Sequence, residues 1–140
     1  MAESLTALVV DDEPDVCWAL EMLLLGDRFT VVTVGSGTEA LRWLKESEPV
    51  CHVILIDAKL PDIEGVDLAG RIRTETSCAA PLILVSGYFY KDDSLVQDTL
   101  RSGLVAAFVA KPFRHDEILN AIHAVLPIGQ ATTHMASSPW

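Results

Sequence analysis

Residues 7–16, ALVVDDEPDV, join an apolar run to a group of acids. The run ends in Asp11, Asp12 and Glu13, whose mutual repulsion is unfavourable unless a positive charge lies among them. Similar runs rich in β-branched residues recur, and their near-continuous hydrophobicity is typical of strands that are covered on both faces of a parallel sheet. The predicted strands are 5–10, 30–34, 52–56, 82–85 and 105–109.

Segments with helical spacing follow each of these runs. The first has Pro14 at a suitable first helical position, and the second opens on the capping-box pattern that starts at Ser36. The fourth is expected to end at Gly103 and the fifth before Pro127. The predicted helices are 14–25, one from 36 through 44, 65–74, 93–102 and 116–126. Alternating strands and helices predict an α/β fold, a doubly wound parallel five-stranded sheet.

Length and charge bound the function. A chain of 140 residues is expected to form one domain over 1–127, followed by a flexible tail or the start of a linker over 128–140. Its 20 acids against 10 bases give a net charge of −10, which argues against direct nucleic-acid binding and against anionic membrane surfaces.

The N-terminus and the cysteines predict a cytoplasmic protein. The N-terminus lacks the basic segment and the long apolar run of a signal peptide. Three dispersed cysteines suggest reduced, packed thiols in a reducing compartment.

Reactive side chains follow four of the five predicted strands. Asp11 and Asp12 follow the first, Asp57 the third, Ser86 the fourth and Lys111 the fifth. The second strand ends in Gly35 and is expected to lie at an edge of the sheet. In open parallel α/β sheets, ligands bind beyond the carboxyl ends of the strands, so these side chains are expected to form one site.

The charges of these side chains indicate a divalent cation. Three carboxylates and one ammonium sum to −2 when all are ionised, and Mg2+ prefers hard oxygen ligands of this kind. A carboxylate beside a metal ion, a lysine and a hydroxyl can accept a phosphoryl group, which makes Asp57 the candidate nucleophile. Taken singly, each residue also has an ordinary explanation as a helix cap, a turn residue or a loop lysine.

The sequence resembles the receiver domains of two-component response regulators over residues 5 to about 126. The resemblance rests on four motifs in order, each at a predicted strand end: VVDDEPD, ILIDAKLPDIEG with Pro61 and Gly65, VSG, and AKPF. It implies a (βα)5 fold with the flavodoxin-like strand order 2-1-3-4-5. It further implies that Asp57 takes a phosphoryl group from a sensor histidine kinase or a phosphotransfer protein.

The resemblance also implies roles for the neighbouring residues. Asp11, Asp12, Asp57 and the backbone carbonyl of Lys59 would hold Mg2+, with Asp11 acting mainly through water. Lys111 would pair with Asp57 and then with the phosphoryl oxygens, and the Lys111–Pro112 peptide bond would be cis. Ser86 would bond the phosphoryl group while Phe108 turns inward as an aromatic switch. The fourth helix, fifth strand and fifth helix would form the output face for a downstream protein. The same face could pair two copies of the chain in a homodimer.

Two departures from the family pattern concern the loops. From Ser86 to Lys111 the chain counts 25 positions, a few more than family members usually have. Lys59 and Tyr88 occupy positions that, in the family, tune the lifetime of the phosphoaspartate. A basic and an aromatic residue there indicate an adjusted lifetime without giving its direction. The predicted protein is a switch with self-phosphorylation and slow autodephosphorylation only, and not an enzyme with a free substrate.

Competing functions are less well matched by the motifs. A phosphatase of the haloacid-dehalogenase type needs a second acid two residues after the nucleophile, and that position holds Lys59. Flavin binding needs a phosphate loop after the first strand, where DDEPD has the opposite charge. A receiver-like docking module that works without phosphorylation is the alternative that stays open. The chain is either a free-standing receiver, which we favour because a full domain lies between Met1 and Trp140, or part of a longer regulator.

Overall fold

The computed structural model describes residues 5–46, 50–87 and 93–126. Its five strands all pair in parallel and form one sheet in the order β2-β1-β3-β4-β5. This confirms the predicted flavodoxin-like α/β fold and places β2, the strand without a reactive end, at an edge of the sheet. The strands are β1 Leu5–Val10, β2 Phe29–Val34, β3 Val53–Asp57, β4 Leu82–Ser86 and β5 Ala107–Ala110.

Five helices connect and follow the strands, and their ends have local causes. Pro14 opens the first helix, and Gly103 ends the fourth in the left-handed conformation at φ 82°, which glycine adopts without a steric penalty. The predicted capping box at Ser36 is half formed: Ser36 Oγ accepts from the Glu39 N–H, but the Glu39 carboxylate accepts from Gly35. The helices are α1 Pro14–Gly26, α2 Gly37–Glu46, α3 Gly65–Glu75, α4 Ser94–Ser102 and α5 His115–Val125.

The core consists of two apolar layers, one on each face of the sheet. Leu20 and Leu24 of α1 pack with Ile118 and Ile122 of α5 against one face. The other face is covered by α2 and α3, with partial cover from Leu100 of α4. Strands that are buried on both sides need apolar residues at consecutive positions, and β3 and β4 are buried at every position.

The predicted boundaries differ from the observed ones by at most two residues. The third strand begins at Val53 and not at residue 52, because the His52 ring nitrogen Nδ1 accepts a hydrogen bond from the Thr6 N–H at 2.9 Å. The fifth strand covers Ala107–Ala110, one or two positions beyond the predicted 105–109. The last helix covers His115–Val125, one residue earlier at each end than the predicted 116–126. No helix in the described ranges is long and apolar enough to cross a membrane.

Candidate functional site

The carboxyl ends of four strands meet at one edge of the sheet. Asp11 follows β1 directly, Asp57 and Ser86 are the last residues of β3 and β4, and Lys111 follows β5. The pairing of Asp57 with Val85 and of Ser86 with Ala110 brings these ends into register. The parallel sheet therefore gathers side chains that are widely separated in the chain.

Lys111 is the centre of the charge arrangement at this edge. Its Nζ lies 2.9 Å from Asp11 Oδ2, 3.1 Å from Glu13 Oε1 and 3.4 Å from Asp57 Oδ1. Only 15% of its side chain is exposed. Burial disfavours its charged form, but hydrogen bonds to Asp11 and Glu13 outweigh burial and raise the pKa of Lys111. The ammonium is thus fixed in place and fully charged at neutral pH.

Asp57 is a buried carboxylate whose ionised form is destabilised by its surroundings. It is 4% exposed, and burial, followed by the charge of Asp11, raises its pKa to about 6. The charge of Lys111, its hydrogen bond and one from the Lys59 N–H act in the opposite direction. One lysine does not offset the repulsion between two buried acids, so a second cation would be stabilised here.

The acidic triad of Asp11, Asp12 and Asp57 fits a hard metal ion. Each residue offers one carboxylate oxygen, and the three oxygens lie within 4.8 Å of one another. Asp11 is held by the Glu13 N–H, which donates to Asp11 Oδ1 at 2.9 Å. Asp11 and Asp57 are buried and Asp12 is exposed, so the triad is open to solvent on one side. Two fixed carboxylates and one exposed carboxylate suit Mg2+, which keeps several of its waters.

Lys59 lies in the loop between β3 and α3. Its ammonium is exposed and lies 3.4 Å from Glu64 Oε2, so the side chain is directed toward the start of α3. Gly65, the first residue of that helix, comes so close to β3 that a Cβ would overlap the Asp57 carbonyl oxygen. The proposed ligand role of the Lys59 carbonyl stays a prediction.

The predicted switch residues Ser86 and Phe108 lie on β4 and β5, on the side of β3 away from β1. Ser86 is fully buried, and its carbonyl oxygen accepts the Lys111 N–H at 2.8 Å. Phe108 is half-buried in β5 and packs against the core layer that α2 and α3 cover. The Lys111–Pro112 bond is cis, as the resemblance implied. Tyr88 lies outside the described residues, so its proposed role in phosphoryl lifetime stays a prediction.

Sequence reasoning did not find the contact between Glu13 and Lys111. The two residues are 98 positions apart, and the sequence shows Glu13 only as one of a group of neighbouring acids. The signal was present in the sequence, since a third acid beside Asp11 and Asp12 increases the demand for a nearby cation.

The chain is similar to known proteins of one family along almost its whole length. Residues 7–123 match the family model described as the response regulator receiver domain. The chain is 34% identical over 119 residues to the transcriptional regulatory protein KdpE of Mycobacterium tuberculosis, which covers 85% of this chain and 50% of that protein. It is 31% identical over 120 residues to the DNA-binding response regulator MtrA of Mycolicibacterium smegmatis, with 85% and 49% covered. The chain spans about half the length of these curated relatives.

Solved structures show the same relationship. The response regulator protein TrrA from Thermotoga maritima, solved in complex with Mg2+ and BeF, is 30% identical and superposes with a TM-score of 0.71. That match covers 87% of this chain and 99% of TrrA. A CheY-like receiver domain from Methylobacillus flagellatus is 25% identical with a TM-score of 0.69, covering 86% of this chain and 99% of that one.

Proposed function

The chain belongs to the response regulator receiver domain family, and on that premise we propose that Asp57 accepts a phosphoryl group from a phosphohistidine. The single observation that supports this best is the geometry around Lys111. Its Nζ contacts both Asp11 and Asp57, and the open triad lies beside it. A purely structural ion pair would not need a second buried acid and an exposed third one at the same place.

Asp57 is proposed to act as the nucleophile. One of its carboxylate oxygens attacks phosphorus, the P–N bond to the histidine breaks, and the imidazole leaves. At neutral pH most of the Asp57 population is ionised, because its pKa of about 6 lies below the pH. Lys111 lies within reach of the new phosphoryl oxygens and offsets part of the added negative charge. Asp11, Asp12, Asp57 and the Lys59 carbonyl would hold Mg2+, which would reduce the repulsion between the triad and the incoming phosphoryl group.

The phosphoryl group is proposed to change the output face through Ser86. Phosphorylation adds nearly two negative charges near the end of β4, where the Ser86 hydroxyl can donate a hydrogen bond. A shift of Ser86 would alter the packing beside β5, where Phe108 leaves its half-buried position for an inward one. This biases the surface formed by α4, β5 and α5, which we propose as the face that contacts a downstream protein, or a second copy in a homodimer.

The partners follow from the same chemistry. The phosphoryl donor is a sensor histidine kinase or a phosphotransfer protein, and the site of action is proposed to be the cytoplasm. KdpE is described as a transcriptional regulatory protein and MtrA as DNA-binding, and the match covers about half of each. With its net charge of −10, this domain is proposed to act on DNA only through another domain or protein. It turns over no free substrate beyond its own phosphorylation and slow dephosphorylation.

Intact mass after incubation with acetyl phosphate tests the proposal. In the presence of Mg2+ the protein is expected to gain about 80 Da, the mass of one phosphoryl group. Without Mg2+ or in Asp57→Asn the gain should be absent. Asp67→Asn is the matched control, because Asp67 is an exposed acid at the start of α3.

Each outcome decides between functions. Labelling that survives in Asp57→Asn would mean that another residue is the acceptor. No labelling from acetyl phosphate, and none from a set of purified phosphorylated histidine kinases, would favour the docking module that works without phosphate.

A further inference from the structure

A pair of cysteines lies at the opposite end of the sheet from Asp57, where strands β3 and β4 begin. Cys51 precedes β3 by two residues, and Cys78 precedes β4 by four. The two strands are neighbours in the sheet, and the Ile54 N–H donates to the Pro81 carbonyl oxygen at 3.0 Å. The connections that enter the two strands therefore run side by side, and each carries one cysteine.

The two cysteine side chains lie side by side at this end of the sheet. The Cys51 and Cys78 side chains are hydrogen-bonded to each other, and both pack against the edge of the core layer under α2 and α3. Cys51 Sγ also lies 3.5 Å from the Val53 carbonyl oxygen, which fixes its rotamer. Both cysteines are partly exposed, so a small oxidant can reach them without unfolding of the chain.

Arg73 makes the surroundings of Cys78 positive. Its Nη1 donates to the Cys78 carbonyl oxygen at 3.1 Å and its Nη2 donates to the Ala80 carbonyl oxygen at 2.6 Å. These bonds hold the guanidinium beside the Cys78 loop. The hydrogen bond with Cys51, then a backbone hydrogen bond from Ala80 and, most weakly, the charge of Arg73 lower the pKa of the Cys78 thiol against the effect of burial. The same hydrogen bond raises the pKa of Cys51, so Cys78 is the more readily ionised of the two thiols.

Cys17 gives a comparison with the pair formed by Cys51 and Cys78. It is also a partly exposed free thiol, and its Sγ donates to the Asp11 carbonyl oxygen at 3.1 Å. Burial and the charge of Asp11 raise its pKa to about 11. Cys17 is thus a protonated thiol in an acidic environment, and no second cysteine of the described chain contacts it in the way that Cys51 contacts Cys78.

We propose that Cys51 and Cys78 form a dithiol that hydroperoxides oxidise to an intramolecular disulfide. In the first step the Cys78 thiolate attacks the distal oxygen of the hydroperoxide. The S–O bond forms, the O–O bond breaks, and the leaving oxygen takes a proton as water or an alcohol. In the second step the Cys51 sulfur attacks the Cys78 sulfenic acid. The S–S bond forms, the S–O bond breaks, and hydroxide leaves with the Cys51 proton as water.

The consequence for the fold is a covalent link between the entries to β3 and β4. These strands carry Asp57 and Ser86 at their other ends. The disulfide joins segments that already touch, so the sheet does not have to rearrange, and a dithiol reductant restores the free thiols. The proposal needs no chemistry at Asp57 and is independent of phosphorylation.

Peptide mapping of the full chain after treatment with hydrogen peroxide tests this proposal. Trypsin places the three cysteines on three different peptides: 1–28, 46–59 and 74–91. Peroxide is expected to lower the intact mass by about 2 Da, the two hydrogens lost when a disulfide forms, and to link 46–59 to 74–91. The Cys17 peptide should stay reduced under these conditions, and Asp57→Asn should be oxidised at the same rate as the wild type.

Two variants separate the roles of the cysteines. In Cys51→Ser, Cys78 is expected to accumulate as a sulfenic acid that dimedone traps. In Cys78→Ser, oxidation of Cys51 should slow by about tenfold or more, because its thiol keeps its proton. Circular dichroism and thermal unfolding confirm that both variants are folded before the comparison.

Three results would overturn the proposal. One is oxidation of Cys17 as fast as that of the pair, and another is a Cys51 that reacts equally fast without Cys78. The third is a disulfide found only between two molecules, with a rate that rises with protein concentration.

Discussion

Strands β3 and β4 carry reactive groups at both ends. The carboxyl edge is the end with Asp57, Ser86 and Lys111, and the amino edge is the end with Cys51 and Cys78. The two edges stabilise their reactive groups differently. At the carboxyl edge, Lys111 holds two buried acids at 2.9 and 3.4 Å, and the arrangement stays short of positive charge. At the amino edge, Cys51 and Cys78 interact through a side-chain hydrogen bond, and Arg73 supplies a nearby positive charge through its contact with the backbone. The first edge depends on full charges and the second on a polar contact.

This difference indicates where the molecule gives up stability for function. Buried carboxylates that repel each other destabilise the fold until a cation or a proton arrives. The two cysteines at the margin of the core have no comparable penalty. Changes at the carboxyl edge should therefore have large effects on unfolding, and changes at the amino edge should mainly alter reactivity.

Removal of the Lys111 charge should have the largest effect. Lys111→Met leaves Asp11 and Asp57 buried without their shared partner, and breaking a buried pair in this way costs about 3 kcal/mol. Urea unfolding at pH 7 without Mg2+ measures this loss. Lys45→Met is the control, because Lys45 pairs with Glu75 at 3.0 Å on the surface and its loss should cost less than about 1 kcal/mol. Equal losses in the two variants would contradict the central role of Lys111.

The close approach of α3 to Asp57 gives the next effect. In Gly65→Ala the new Cβ meets the Asp57 carbonyl oxygen and Ala58 Cα, both of which are backbone atoms that cannot easily move. We expect a loss of about 2 kcal/mol by overpacking. Gly70→Ala lies in the same helix with no atom within 4 Å of its Cβ, and it should stabilise the protein by about 0.5–1 kcal/mol. Thermal unfolding of both variants checks the difference in sign.

The sequence predicted the carboxyl edge well because each reactive residue follows an apolar run directly. Asp57 and Ser86 could be placed at strand ends once β3 and β4 were recognised as buried strands. The contact between Glu13 and Lys111 and the contact between Cys51 and Cys78 could not be predicted in the same way. Both depend on how neighbouring strands are aligned and on the course of short loops, which apolar periodicity does not determine. The sequence predicts reduced, packed thiols, and this is confirmed, since all three cysteines are free and pack against the core layers.

Neutralisation of Asp57 should stabilise the protein without Mg2+. The folded-state pKa of about 6 lies above the ordinary value of 3.8, so the folded state binds more protons than the unfolded state between these values. Stability is therefore lost as the pH rises through this window, and Asp57→Asn removes that loss. At pH 7 the variant should be more stable by about 1–2 kcal/mol, and the two proteins should converge near pH 4.

Urea unfolding at several pH values, with Asp67→Asn as the exposed control, measures this effect. A difference that grows as the pH falls would contradict the assignment of the raised pKa to Asp57.

The amino edge should show the smallest change in stability and a clear difference in reactivity. Alkylation by iodoacetamide requires the thiolate, so its rate follows the thiol pKa. The pKa of Cys78 is lowered mainly by the hydrogen bond with Cys51, whereas that of Cys17 is raised to about 11. At pH 7 Cys78 should therefore react at least about tenfold faster than Cys17, and the advantage should shrink as the pH rises toward 10. In Cys51→Ser the hydroxyl still donates a hydrogen bond, so Cys78 should keep most of its advantage, whereas Cys51→Ala should remove more of it. If Cys78 and Cys17 react alike at pH 7 in the folded wild type, the contact between Cys51 and Cys78 does not stabilise a thiolate, and only the carboxyl edge has a chemical role.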